Sequence, residues 1–326
     1  MKHYMINLGT ALTIVASLTI GGCANGPDRK STAGVQHLQE AHTFLDQGLD
    51  DSALAAFGLA LEENPRLYEA HVGMGSIYIE RGDYQLASNA YERAVEIDPT
   101  SFDAHYYLGL AKQMMGKVQE AIRVYLRALA INPDSFDANL NIASAYLQID
   151  RPGQALPYAL RATQLRPDAQ SGWANLAAVH SLLENYDSAI DAYRAAVELG
   201  DMPEEVLLGL ADAHLKLDNY DRAINVLQTL IRRNPSSTAY ERLGYAQFRQ
   251  RRFDASLASF RAALSIDNND TAALNGLGVS LMTLYLQGGG VIGSQKDAAL
   301  AAWRRSVQLR PDQPRIVDLL ARYQRL

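Results

Sequence analysis

Small and bulky apolar side chains return along this chain with a period of thirty-four residues. Alanine recurs at Ala53, Ala87, Ala121, Ala155, Ala189 and Ala223. Four residues later stand Phe57, Tyr91, Tyr125, Ala159, Tyr193 and Leu227, and seven later Ala60, Ala94, Ala128, Ala162, Ala196 and Leu230. Spacings of four and seven keep these side chains on one face of a helix. Pro65, Pro99, Pro133, Pro167 and Pro235 close most units, with Asp201 in that place once. A proline offers no N–H and blocks continuation of the helix. Upstream of each alanine a second set of small residues recurs: Ala41, Gly75, Gly109, Ala143, Ala177 and Ala211. Bulkier Phe44, Tyr78 and Tyr146 follow three later. Gly48, Gly82 and Gly116 fall between the two sets, where a turn needs a residue tolerant of positive φ. Each unit is therefore expected to be a helical hairpin whose small residues let the helices cross closely. A period this strict predicts a stack of such hairpins.

The unit containing Trp173, Leu176, Ala177, Ala189, Tyr193 and Ala196 resembles the tetratricopeptide repeat. That resemblance implies an all-α chain: a right-handed superhelix of about eight hairpins over residues 34–311, closed by a capping helix at 312–326. In the capping segment Ile316, Leu319, Leu320 and Tyr323 share one face, opposite Arg315, Asp318 and Arg322. The seventh unit starts one residue early (Gly244, Phe260, Ala263) and carries Ser256 where alanine is expected. The eighth (Leu277, Gly278, Ala299, Trp303, Pro311) holds extra residues, expected as an insertion at about 287–295.

In a solenoid, the length of 326 residues says little about domain count. A net charge of −6 gives no general drive toward nucleic acid. The amino terminus changes the picture more. Lys2 precedes an apolar run from Ile6 to Ile20, then Gly21-Gly22-Cys23, the layout of a secretory signal. The run is shorter than the ~17–25 residues of a spanning helix. Ile20-Gly21-Gly22-Cys23 resembles the lipobox of bacterial lipoproteins. The resemblance implies a signal peptide at 1–22, acylation of Cys23 and a polar tether at 23–33. Ala24 in place of aspartate implies the outer membrane, facing the periplasm, with the inner membrane or cell surface as alternatives. The chain has no second cysteine, as suits a secreted protein without disulfides.

Catalytic chemistry finds little support. Gly288-Gly289-Gly290-Val291-Ile292-Gly293 spells a G-x-G-x-x-G, but both flanks read as helix and no second strand follows, so no dinucleotide cofactor is expected. His37, His71 and His105 share one phase, as do His180 and His214. Successive hairpins hold equivalent positions ~8–10 Å apart, whereas two imidazoles on one zinc need bonds of ~2.0–2.1 Å. Packing is the expected role, and no metal site is assigned. Acidic pairs such as Asp50-Asp51, Glu62-Glu63 and Glu204-Glu205 sit at helix ends, where adjacent residues do not face each other. The chain is not expected to be an enzyme.

The resemblance also implies that the first helix of each hairpin lines a concave groove for an extended peptide or a partner helix. The groove candidates are Tyr106, Tyr107, Asn141, Asn175, Arg242, Tyr245 and Arg249, with Glu241 and Asn275 also in the lining. Asparagine amides both donate and accept, which suits a peptide backbone. Arg249, Arg251 and Arg252 form the densest basic spot, which suits an acidic partner segment. The expectation is a lipid-anchored scaffold or adaptor, bound to the membrane through its N-terminal lipid. Its partners would be other envelope proteins, as in bacterial repeat lipoproteins that help assemble pilus secretins or hold peptidoglycan enzymes. The alternative is a binding protein for envelope glycan or peptidoglycan fragments, with Tyr106, Tyr107 and Tyr245 stacking on sugars.

Overall fold

The computed structural model describes residues 29–324 apart from 202 and 292. The expected signal peptide, Cys23 and the start of the tether lie outside the described residues. The described residues form seventeen α-helices in two compact units divided after Pro167. The first unit holds α1 (Arg29–Asp46), α2 (Asp50–Glu63), α3 (Tyr68–Arg81) and α4 (Tyr84–Ile97). It continues through α5 (Phe102–Met114), α6 (Val118–Ile131), α7 (Phe136–Gln148) and α8 (Pro152–Leu165). The second begins with α9 (Gln170–Leu182), α10 (Tyr186–Glu198), α11 (Glu204–Lys216) and α12 (Tyr220–Arg233). It ends with α13 (Ser237–Arg249), α14 (Phe253–Ile266), α15 (Thr271–Gln287), α16 (Gly293–Leu309) and α17 (Pro314–Gln324). Helix α1 begins at Arg29, so the expected tether is helical over its last residues.

Within each unit every helix packs on its neighbours in sequence, as stacked hairpins require. The odd-numbered helices also touch one another, α3 with α5 and α5 with α7 in one unit, α9 with α11, α11 with α13 and α13 with α15 in the other. They therefore form one layer of each unit.

The recurring small residues sit where the rings demand them. Ala53, Ala87, Ala121, Ala155, Ala189 and Ala223 are completely buried. A Cβ added to Gly75 would come within 2.7 Å of the Tyr91 ring, and one on Gly109 within 2.6 Å of Tyr125. Gly278 meets Trp303 in the same way. Real side chains do not approach so closely, so the glycine is required by the ring in the partner helix. Ser256 is completely buried at its alanine position because its hydroxyl donates to the Gly244 carbonyl at 2.8 Å and lies 3.1 Å from Ser280 Oγ.

Three turns use glycine at positive φ: Gly48 (70°), Gly82 (78°) and Gly116 (75°). The same turn in later hairpins keeps that conformation without glycine, at Asp150 (56°), Glu184 (59°), Asp218 (58°) and Arg251 (63°). The left-handed region costs an L-residue roughly 1–2 kcal/mol, so the closing geometry of the hairpin outweighs local preference. Helix starts are fixed by side-chain caps: Ser101, Ser135 and Ser236 accept from the N–H three residues on, and Asp270 accepts from Ala272 and Ala273.

The extra residues of the eighth unit mostly lengthen its two helices, and the connection at 288–292 is short. Helices α15 and α16 run 17 residues each, against 13 and 14 for α13 and α14. Only residues 288–292 connect them, with Gly289 and Gly290 at positive φ. Extending two packed helices keeps backbone hydrogen bonds that a long loop would leave to solvent. Helix α17 caps the last hairpin as expected, with Ile316, Leu319, Leu320 and Tyr323 packed on the Trp303 cluster. Among the described residues no helix is long and apolar enough to cross a membrane.

Candidate binding surface on the odd-numbered helices

In the first unit the candidate residues are occupied with one another. Tyr106 stacks on Phe102 at 5.8 Å and meets Tyr107 edge to face at 5.1 Å, while Tyr107 stacks on Tyr91 at 5.5 Å. Burial pushes the Tyr106 hydroxyl far above the ordinary tyrosine range, with Asp137 and Tyr107 adding to the shift, and it stays a neutral hydrogen-bonding group. That hydroxyl accepts from the Asn141 amide at 3.0 Å. Asn141 is only 6% exposed and Asn175, in the second unit, 5%. Both amides are therefore withdrawn from solvent, Asn141 with Tyr106 as its partner and Asn175 with a buried Oδ1 that has none.

The reason lies in the repeat. Gly73 and Gly209, one to three periods from Asn141 and Asn175, lie under the rings of Phe57 and Tyr193 from the preceding hairpin. An added Cβ there would stand 2.3 Å from each ring. Within each unit, as at Asn141 in the first, the position faces the neighbouring hairpin and is chosen for packing.

The histidines are explained in a similar way. His71 Nε2 lies 3.0 Å from the Pro65 carbonyl, and His105 Nε2 3.0 Å from that of Pro99. Asn139 donates to the Pro133 carbonyl at 3.0 Å from the equivalent place. This side chain therefore ties each helix start to the proline turn before it. His180 and His214 sit deeper in their helices, and each buries an unpartnered Nδ1. Desolvation lowers both histidine pKa values, helped at His214 by Arg222 and Arg194.

The second unit holds the more open surface. Arg242 donates through Nε to Asp212 at 2.5 Å, and Lys216, Leu215 and Tyr245 complete a depression of about 380 Å³ with Glu241 at its edge. Burial pushes the Glu241 carboxyl up to about 7 against the opposing pull of Arg242, with Asp270 and Asp212 adding to the rise. Nothing in the sequence pattern distinguished Glu241 from its neighbours in the lining; its burial is visible only in the packed structure.

Arg249 is held as well. It donates to the Tyr245 hydroxyl at 2.7 Å and to Asp218 at 3.2 Å, and its guanidinium lies 5.0 Å from the Tyr220 ring centre. Arg252 lies 4.0 Å from Asp221. Arg249 and Arg252 of the expected basic spot thus face carboxylates of the previous hairpin, in solvent-exposed pairs that lower its net charge.

Residues 140–202 and 208–273 match a family profile described as a tetratricopeptide repeat, and residues 75–116 and 114–150 match a second, described as a TPR repeat. Together they span more than half of the chain. A search of curated proteins finds no match. Among solved structures, a tetratricopeptide repeat protein from Parabacteroides merdae is 17% identical with a TM-score of 0.55, over 77% of this chain and 99% of that one. Pseudomonas aeruginosa pilF is 20% identical with a TM-score of 0.53, over 64% of this chain and 95% of that one. The Cut9–Hcn1 assembly of the APC/C is 19% identical with a TM-score of 0.55, over 91% of this chain and 57% of that one. At these identities the likeness concerns the fold.

Proposed function

Because the chain belongs to the tetratricopeptide-repeat family, whose members hold other proteins together, we propose that it is a lipid-anchored adaptor of the bacterial cell envelope. In this reading Cys23 carries the lipid and the chain faces the periplasm from the outer membrane. The odd-numbered helices receive segments of envelope proteins. The observation that carries the binding role is the open depression between α11 and α13, shallow enough for a protruding side chain and edged by charge. The anchor rests on Ile20-Gly21-Gly22-Cys23 after a short apolar run. A glycan-binding groove has less support, since Tyr106 and Tyr107 spend ring faces on Phe102 and Tyr91.

The experiment is metabolic labelling with a fatty-acid analogue, followed by capture of partners from solubilised envelope. Wild type should take the label and retain a defined set of envelope proteins, while Cys23→Ser takes none. Equal labelling of both proteins would remove the anchor, and an empty capture would remove the adaptor role.

A further inference from the structure

Glu241 is the carboxylate in this surface whose surroundings do not account for it. Its side chain is 21% exposed, and the nearest cation is its own neighbour Arg242, 3.7 Å away. Arg242 is already committed through Nε to Asp212. Among the described residues Glu241 has no hydrogen-bond donor closer than that. A carboxylate withdrawn from water is costly unless a cation and donors replace the solvent. The groups around it are Asp212 and Lys216 from α11, Arg242 and Tyr245 on α13, and Asp270 at the start of α15. Lys216 is exposed and solvated, so its lack of a partner costs little. Glu241 has no such relief.

The space beside it has a definite chemistry. Leu215 and the Tyr245 ring wall the depression, with the carboxylates Asp212 and Glu241, the paired Arg242 and the solvated Lys216 around them. A lysine or arginine side chain has the complementary order, an apolar stem ending in a cation. Tyr245, the most exposed aromatic among the groove candidates at 38%, has the Arg249 guanidinium 5.7 Å from its ring centre and offers its remaining ring surface to the apolar stem. With Arg242 and Arg249 neutralised by Asp212 and Asp218, an acidic side chain entering here would meet Glu241 without a free buried cation to receive it.

We propose that the depression between α11 and α13 is a receptor for one basic side chain of the partner segment, with Glu241 as its counter-ion. This deepens the adaptor reading and rests on it. The arrangement selects by charge and by stem length, and the surrounding contacts need carry little sequence information. Binding strengthens as Glu241 ionises, so affinity for a basic segment rises with pH through about 7.

The test uses the full chain in detergent and a fluorescein-labelled decapeptide of alternating glycine and lysine, with glutamine and glutamate counterparts, read by anisotropy. The lysine peptide should bind at least about tenfold more tightly than the glutamine peptide, and the glutamate peptide should not bind. Glu241→Gln, which removes charge and keeps shape, should weaken the lysine peptide about tenfold and flatten its pH dependence. Tyr245→Ala, at an exposed position that folding tolerates, should weaken it several-fold through the lost stem contact. Asp51→Asn, on the 92% exposed Asp51 of the first unit, should leave it unchanged. Equal affinity for all three peptides, or for Glu241→Gln and wild type, would overturn the inference. So would an equal loss in Asp51→Asn, which would mean diffuse attraction to a chain of net charge −6. If wild type and Glu241→Gln capture the same envelope proteins while neither prefers the lysine peptide, the receptor fails and the adaptor stands. If wild type captures nothing, the adaptor itself fails.

Discussion

Glu241→Gln should stabilise the second unit, and by an amount that grows with pH. The carboxyl is held up to about 7 from an ordinary 4.5, chiefly by burial. A raised carboxyl pKa means that the native state binds its proton more tightly than the unfolded chain does. The contribution is complete below the unfolded value and is lost as pH rises through about 7. Taking 1.36 kcal/mol per pKa unit, the charge costs about 3 kcal/mol by about pH 8 and less than half of that near pH 5.5. Glutamine keeps the shape and has no proton to lose, so the gap between variant and wild type should widen by about 2 kcal/mol over that interval. For a unit of this size that is about 4–8 °C in melting temperature. Both tryptophans, Trp173 and Trp303, lie in the second unit, so their fluorescence reports its melting. His180 and His214, the histidines of this unit, are common to both proteins and drop out of the difference. A gap of the same size at both pH values would show that Glu241 is solvated in the native state, and would weaken the receptor argument with it.

Ala121→Leu should cost ~1–3 kcal/mol, because Ala121 is completely buried at a helix crossing; circular dichroism melts without a loss would contradict the register. Asn141→Ala should cost about 0.5–1.5 kcal/mol by removing the bond to Tyr106, while partner affinity changes less than twofold; a collapse of binding with unchanged stability would return Asn141 to the binding surface. His214 is favoured neutral by burial and by Arg222 and Arg194, so it stabilises above its unfolded pKa of about 6.5 and loses that as pH falls. Fluorescence-detected stability should therefore drop less on acidification to about pH 5 in His214→Gln, and an unaltered drop would remove His214 as its source.

The hairpins were legible because each period repeats a volume constraint. A ring in one helix demands a missing Cβ in the other, and the pair Gly75 with Tyr91 can be read as letters. Conformation without a matching letter was not legible. Asp150, Glu184, Asp218 and Arg251 adopt the turn that Gly48, Gly82 and Gly116 announce, and only their phase identifies them. The letters near 287–295 marked an insertion but not how far helix would run into it, because glycine breaks helices locally. Packing between α15 and α16 instead carried helix almost to the glycines.

The binding surface was legible in position and misleading in chemistry, for one physical reason. A residue on the inner layer of a repeat stack faces solvent and the next hairpin at once, and the second claim is satisfied first. Asn141 bonds Tyr106, Arg242 bonds Asp212, and Arg249 bonds Asp218 and Tyr245. Apart from Arg249–Tyr245, four residues apart on one helix, each of these pairs spans about one period, so a residue's chemistry is decided largely by the letter roughly thirty-four places away. Reading one unit at a time, Arg249 with Arg251 and Arg252 looks like a basic patch; reading two, Arg249 and Arg252 face Asp218 and Asp221. What a partner meets is the remainder after such pairing. In the second unit that remainder holds the exposed Lys216 and the largely buried Glu241, and the receptor proposed above turns on the carboxylate, the reverse of the partner chemistry expected from the arginines.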